Sequence, residues 1–266
     1  MTTSRSAVCR RFAAAALLLL AATGCESARN ISLFSTQQEV EMGTEMSAKI
    51  ESEMKLLNDP AVVNYVKEVG GKVSAQAARQ DVEYVFKVID DPEQVNAFAV
   101  PGGNIYIFTG LLTRMSDEAE LAAVLAHETA HIDERHSMEA LTRQVGYEIV
   151  VGAVLGDQAA AWEKILSGVA GNLAFLKFSR SDERQADQIG LELMVKAGYD
   201  PQGMVDLLQM FETLAQSQPS AIEIWLSSHP ASSERVALVK QQIARENLHG
   251  GSVNAEQYQS LVKRIK

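Results

Sequence analysis

His127, Glu128 and His131 stand in the order H-E-x-x-H, within His127-Glu128-Thr129-Ala130-His131. On an α-helix, residues four apart lie about 40° apart around the axis, so both imidazoles leave the same face. That is the spacing by which one helix offers two nitrogens to a single Zn²⁺. Glu128, beside the first histidine, can then take a proton from a water activated by the metal. The surroundings read as helix. Ser116 is the expected N-cap, and Asp117, Glu118 and Glu120 put acidic charge in the first turn, where the helix dipole favours it. Residues 121–126 form an apolar run that can bury almost all round. A buried helix with polar groups on it needs partners for them, and a metal is one.

A third ligand is sought downstream. In Phe178-Ser179-Arg180-Ser181-Asp182-Glu183-Arg184-Gln185-Ala186-Asp187, Ser181 or Asp182 is expected to cap a helix running to Ala197. Glu183 and Asp187 are four apart and share a face, where two carboxylates alone repel. The pair becomes favourable if Glu183 binds a cation and Asp187 accepts from a ligating imidazole. His127, His131 and Glu183 with an open fourth position form a catalytic zinc set, with one Zn²⁺ per chain.

The elements that must position these residues follow from periodicity. A helix is predicted over 35–54, with Val40, Met42, Met46 and Ile50 as its apolar stripe. Asp59-Pro60 ends it and starts a second helix over 60–78, bearing Val62, Val63, Tyr65, Val66 and Val69. Alternation predicts strands over 82–89, 95–100 and 104–109, the last two forming a hairpin around Pro101-Gly102-Gly103 just before the His127 helix. The hairpin edge either accepts an extended peptide as an added strand or simply covers the core. Apolar helices are predicted over 149–155 and 165–178. Neither is long enough, or free enough of charge, to span a membrane securely. They read as buried or lid-forming, with contact to a membrane surface as the alternative. His136, five residues past His131, turns away from the metal face of a straight helix and is assigned a structural role.

The N-terminus reads as a targeting segment. Arg5, Arg10 and Arg11 precede an apolar stretch over 12–22, and Ala22-Thr23-Gly24-Cys25 resembles the lipobox of bacterial lipoproteins. Residues 1–24 are then a removed signal peptide, Cys25 is lipidated, 25–34 is a tether and 35–266 is a single domain. Cys9 leaves with the signal, so no disulfide is expected. Glu26 after the cysteine resembles default sorting to the outer membrane. The net charge of −10 comes with no basic stripe, which argues against nucleic acid as a partner.

Taken in order, these segments resemble a known family, the CAAX prenyl protease/HtpX/Oma-type zinc metalloendopeptidases, which are gluzincins. The resemblance rests on Asn96-Ala97-Phe98-Ala99 with Pro101-Gly102-Gly103, on Glu120 through His131 with His136, on Ser179-Arg180 through Asp187, and on Ser228-His229-Pro230 with Arg235. It implies an α+β, predominantly helical, zincin-like domain with a small sheet beside the H-E-x-x-H helix. It implies zinc on His127, His131 and Glu183, Glu128 as general base, and Asp187 supporting a ligand. Asn96, Ala97, Phe98 and Ala99 are implied to hold the substrate backbone. His229 and Arg235 are implied to approach the site, to bind the oxyanion or act as a gate, His229 alternatively occupying the open zinc position. The periplasmic branch of the family lacks transmembrane helices and is tied to quality control of outer-membrane β-barrel proteins. The expected substrates are therefore unfolded or misassembled envelope proteins, with the outer-membrane assembly machinery a further partner. After Arg235 the chain has too few residues for a tetratricopeptide array. The competing expectation is an assembly or chaperone-like binding factor with latent, gated proteolysis.

Overall fold

A computed structural model describes residues 34–146, 149, 150, 152, 165, 176–230 and 233–265. Contacts group Thr36–Lys266 into one unit, and of the segment before it only Phe34 and Ser35 are described. The described elements are α1 (Thr36–Glu53), α2 (Pro60–Ser74), β1 (Val85–Ile89), β2 (Ala97–Ala99), a 3₁₀ turn (Pro101–Gly103), β3 (Asn104–Phe108), α3 (Thr109–Leu112), α4 (Glu118–Asp133), α5 (His136–Val145), α6 (Arg180–Lys196), α7 (Gln202–Ser217), α8 (Pro219–Ser228), α9 (Ser233–Glu246) and α10 (Ala255–Val262). The α+β, mostly helical class expected from the sequence is the one observed.

The centre of this arrangement is α4, buried at every residue from Glu118 to Ile132. Its small side chains let neighbours approach on all sides, with α2, α6, α7 and β2 packed around it. Backbone meets backbone at two glycines. A Cβ on Gly190 of α6 would lie 3.1 Å from the His127 amide nitrogen, and one on Gly203 of α7 would lie 2.6 Å from the Ala119 carbonyl carbon. Side chains leaving facing sides of α4 and α6 are therefore held close together.

The sheet has the order β1-β3-β2. β1 runs parallel to β3, and β2 pairs antiparallel with it in the register Ala97↔Ile107, Phe98↔Tyr106 and Ala99↔Ile105. The Phe108 amide donates to the Asn96 carbonyl, and the Val100 amide donates to Asn104. Because antiparallel strands alternate, the amides of Ala97 and Ala99 point away from β3. The turn between β2 and β3 lies against α1, where a Cβ on Gly43 would come within 1.8 Å of the Pro101 carbonyl oxygen.

Several expectations shift. In α1 the buried positions are Glu39, Met42, Met46 and Ile50, while Val40 is exposed. Glu39 turns inward because Arg79 meets both its carboxylate oxygens at 3.0 Å. α2 stops at Ser74, and the first strand begins at Val85. Asp117, not Ser116, caps α4, since its carboxylate reaches the Glu120 amide at 3.0 Å while Glu120 reaches back to the Ser116 amide. Ser179 caps α6 in a reciprocal capping box with Asp182, two or three residues earlier than expected. Leu176 to Ser179 is not helical. The predicted apolar helices over 149–155 and 165–178 otherwise lie largely outside the described residues, as do the signal segment, Cys25 and most of the tether. Among the described residues, no helix is long and apolar enough to cross a membrane.

The tight contact at Gly190 yields a test. Gly190→Leu has no room between α4 and α6 and should cost about 1–3 kcal/mol in chemical denaturation, as overpacking does. It should also weaken metal binding, because Glu183 and the two histidines of α4 sit on the helices being forced apart.

Candidate active site

Two helices deliver the central groups. α4 presents His127, Glu128 and His131 one turn apart, and α6 presents Glu183 and Asp187 from its N-terminal half. The short α8 ends at Ser228, so that His229 lies at its C-cap, and α9 carries Arg235. All seven side chains are buried. The expected residues are thus brought together from four helices.

Three distances define the cluster. His127 Nε2 lies 3.1 Å from His131 Nε2. His131 Nε2 lies 3.5 Å from Glu183 Oε1, and His127 Nε2 lies 3.7 Å from Glu183 Oε2. A tetrahedral Zn²⁺ site with bonds of about 2.0–2.1 Å has edges of about 3.3 Å, so the three ligand atoms stand close to the separation zinc requires. His229 belongs to the same group, with one ligand atom from each of His127, His131, Glu183 and His229 lying within 4.8 Å of the others. His229 Nε2 and both oxygens of Glu128 and of Glu183 are buried without a hydrogen-bond partner. Burying unpartnered polar atoms is costly, and a metal ion would satisfy those of the cluster together. This group can hold a metal ion.

Around the cluster, each group is oriented by a neighbour. Asp187 Oδ1 stands 3.1 Å from His127 Nδ1, on the side of the ring away from Glu183 but off the hydrogen-bonding direction. The Arg235 guanidinium forks onto Asp187 with two contacts of 2.6 Å and sets its remaining nitrogen 2.6 Å from Glu183 Oε2. The latter pair is close enough for an ion pair but off the hydrogen-bonding direction. Arg235 was expected to approach the site, to bind the oxyanion or act as a gate, and it does reach the cluster. Its fork is instead occupied by the two carboxylates of α6.

His229 stacks on Trp225 at 4.0 Å with 11° between the rings. Its Nδ1 meets the Ser228 hydroxyl at 2.9 Å, and its Nε2 lies 3.5 Å from Glu128 Oε1. Phe178 stacks on His131 at 3.8 Å. The sequence reading singled out neither Phe178 nor Trp225. Trp225 stands four residues before His229, a helical neighbour spacing that could have flagged it. Phe178 gave no such signal, because its contact depends on the path between α5 and α6.

Electrostatics follow from the burial. Desolvation pushes the Glu128 carboxyl up to about 8, against weaker opposing pulls from the Ala99 amide and Arg235. Desolvation likewise raises Glu183 to about 8, with Arg235 the main opposing influence. Burial acts on Asp187 in the same sense, but Arg235 beside it wins and holds it below the usual carboxylate range. Burial, reinforced by neighbouring imidazoles, holds His131 and His229 well below 6.5, so both are neutral and fit to ligate. A divalent cation at the cluster favours ionised Glu128 and Glu183.

The β2 segment borders this site. Ala99 faces Glu128 with its amide, and its carbonyl accepts from the Ser137 hydroxyl at 3.3 Å. The Val95 amide donates to Ala221 of α8. The Asn96 side chain is buried, and neither its oxygen nor its nitrogen has a partner. Phe98 turns the other way and stacks on Tyr106 at 5.0 Å.

A helix bearing H-E-x-x-H, a carboxylate as third candidate ligand from a second helix and a flanking edge strand define a zincin-like metallopeptidase domain. The chain belongs to Peptidase family M48, whose family model matches residues 60–243. Among its relatives are the beta-barrel assembly-enhancing proteases of Yersinia pestis and Escherichia coli K12. The first is 29% identical over 76% of this chain and 43% of its own length, the second 30% identical over 77% and 44%. The mitochondrial metalloendopeptidase OMA1 of Schizosaccharomyces pombe is 35% identical over 68% of this chain and 55% of its own. The chain spans about half the length of these curated relatives.

The two raised carboxyls have a measurable consequence. Glu128 and Glu183 titrate at about 8 in the folded state and near 4.5 when exposed. The metal-free fold therefore binds their protons more tightly than the unfolded chain does, and it loses stability as pH rises from about 4.5 to 8. Thermal unfolding of chelator-treated protein should show a falling Tm across that window, and saturating Zn²⁺ should abolish the fall.

Proposed function

We propose that this chain is a zinc-dependent metalloendopeptidase of the bacterial cell envelope. The observation that carries this reading is the convergence of His127, His131 and Glu183 at tetrahedral spacing, with the unpartnered Glu128 carboxylate beside them. His127, His131 and Glu183 hold the zinc. When bound, zinc supplies Lewis acidity that polarises the scissile carbonyl and makes water easier to deprotonate. Glu128 is the general base. It accepts a proton from the attacking water and passes it to the departing amine nitrogen as the C–N bond breaks. Arg235 and Asp187 act by orientation: Asp187 fixes the His127 ring, and Arg235 holds Glu183 and Asp187 in place while offsetting their charge.

The substrate lies extended along β2. The outward amide of Ala97 serves as its hydrogen-bonding edge, and the unpartnered Asn96 side-chain amide offers both a donor and an acceptor to a peptide backbone. Phe98 supports the strand from behind. Such an edge selects chains that can be drawn out, so the substrates are unfolded or misassembled proteins. With relatives named beta-barrel assembly-enhancing protease, outer-membrane proteins are the substrate class proposed, and their assembly machinery the proposed partner. A signal peptide over 1–24, a lipidated Cys25 and Glu26 after it would hold the domain at the outer membrane, in the periplasm. Cys25→Ser should lose palmitate labelling and fractionate as a soluble protein.

His229 is proposed as the gate. One of its ring nitrogens lies within 4.8 Å of the other ligand atoms, near enough for the ring to approach a bound metal at rest and give way to substrate. The same observation favours the second reading, a binding or chaperone-like factor whose proteolysis is latent.

Casein cleavage by metal-loaded protein tests both. The unaltered chain should cleave, and a chelator should stop it until Zn²⁺ is restored. Glu128→Gln should retain zinc and fold while losing at least 100-fold in rate, as loss of a general base does. His229→Ala should cleave faster if the residue gates. A drop instead would assign it to the oxyanion, and an unchanged rate would exclude both roles. If Glu128→Gln fully rescues the envelope defects of a deletion strain, the binding reading stands in place of the protease one.

A further inference from the structure

His136 lies outside the ligand group, yet it touches a member of it. His131 Nδ1 and His136 Nδ1 are 3.0 Å apart, and both rings are buried. In a continuous helix, a residue five positions on is rotated about 140° away. The chain avoids that outcome by ending α4 at Asp133 and passing through Arg135 in the left-handed region, at φ 59° and ψ 24°, before α5 begins at His136. A non-glycine residue there is held against its preference. Here the reversal swings His136 back under His131.

The contact continues to the surface. His136 Nε2 is 3.3 Å from Gln185 Oε1, and Gln185 Nε2 donates to Glu134 Oε2 at 2.5 Å. The direction of every proton in this chain follows from its outer end. A carboxylate only accepts, so the Gln185 atom facing Glu134 is the amide nitrogen, and the other atom is the carbonyl oxygen. That oxygen also only accepts, so His136 carries its proton on Nε2 and offers a lone pair at Nδ1. His131 must then donate from Nδ1, which leaves its Nε2 lone pair facing Glu183 and His127. We propose that His136, backed by Gln185 and Glu134, is the positioning residue of His131, holding that ring in the orientation and tautomer required to bind the metal. It does for His131 what Asp187 does for His127, with a neutral acceptor in place of a charged one. The proposal rests on the metal reading of the site.

Zinc affinity, measured on the full chain by competition with a chromophoric chelator, tests it. His136→Phe fills the space without an acceptor and should weaken binding about 10–100-fold, the usual effect of removing a ligand's hydrogen-bond partner. His136→Asn supplies a carbonyl oxygen and should recover most of that loss. A purely structural histidine would show no such rescue, and the far-ultraviolet dichroism and Tm of the metal-free variants check that the fold is intact. Long-range ¹H–¹⁵N spectra of the unaltered metal-free protein give a reading that needs no variant: His131 should carry its proton on Nδ1 and His136 on Nε2. The proposal is overturned if folded His136→Phe binds zinc as tightly as the unaltered chain, or if the spectra place the His131 proton on Nε2. If the unaltered chain binds no zinc while the spectra still show the expected tautomers, the metal reading fails and the hydrogen-bond chain stands.

Discussion

Glu183 and Asp187 lie one turn apart, both buried, and this is tenable because the Arg235 guanidinium lies between them. Removing a charge from water is expensive unless a partner of opposite sign and good geometry comes with it. One cation does not balance three carboxylates, and Glu128 makes the third. With all of them ionised the cluster carries two uncompensated negative charges. Two protons or one divalent cation would restore neutrality, which prepares the site for a metal, while burial raises two of the carboxyls. Much of the domain can be understood as the scaffold that holds this imbalance in place: an all-buried α4, a glycine contact that brings α6 against it, and α9 arriving from behind with its arginine.

The candidate ligands meet their neighbours by different means on each side. His127 is set by a buried carboxylate that is itself fixed by Arg235. His131 is set by a neutral imidazole, reached through a strained turn. His229 stands on a Trp225 face with Ser228 at its Nδ1. α8, anchored in the core by Ile222 and Trp225, also closes one end of the β2 edge through Ala221.

The legibility of the chain followed the range of the forces involved. The H-E-x-x-H helix, the hairpin and the Glu183 helix could be read because each is written in local periodicity and spacing. Boundaries moved where a long-range partner overrode a local preference. Glu39 displaced Val40 from the buried stripe because Arg79, forty residues on, was waiting inside. Asp117 displaced Ser116 as the cap because its carboxylate reaches the Glu120 amide, while the Ser116 amide is satisfied by the Glu120 carboxylate. Helical periodicity also sent His136 away from the metal face, and this was the least transferable inference, since it assumed that the helix continued.

By itself the sequence determined which groups can bind a metal and which can move a proton, because ligand type and four-residue spacing are local properties of a helix. It also determined that the carboxylate pair on α6 would need a cation. Only the tertiary structure decided which cation each would meet. It directed Arg235 to Glu183 and Asp187, turned His229 toward the ligand group, and brought His136 beneath His131. Those contacts join residues distant in sequence or separated by a break in the helix, and their geometry is set by packing that no local pattern encodes.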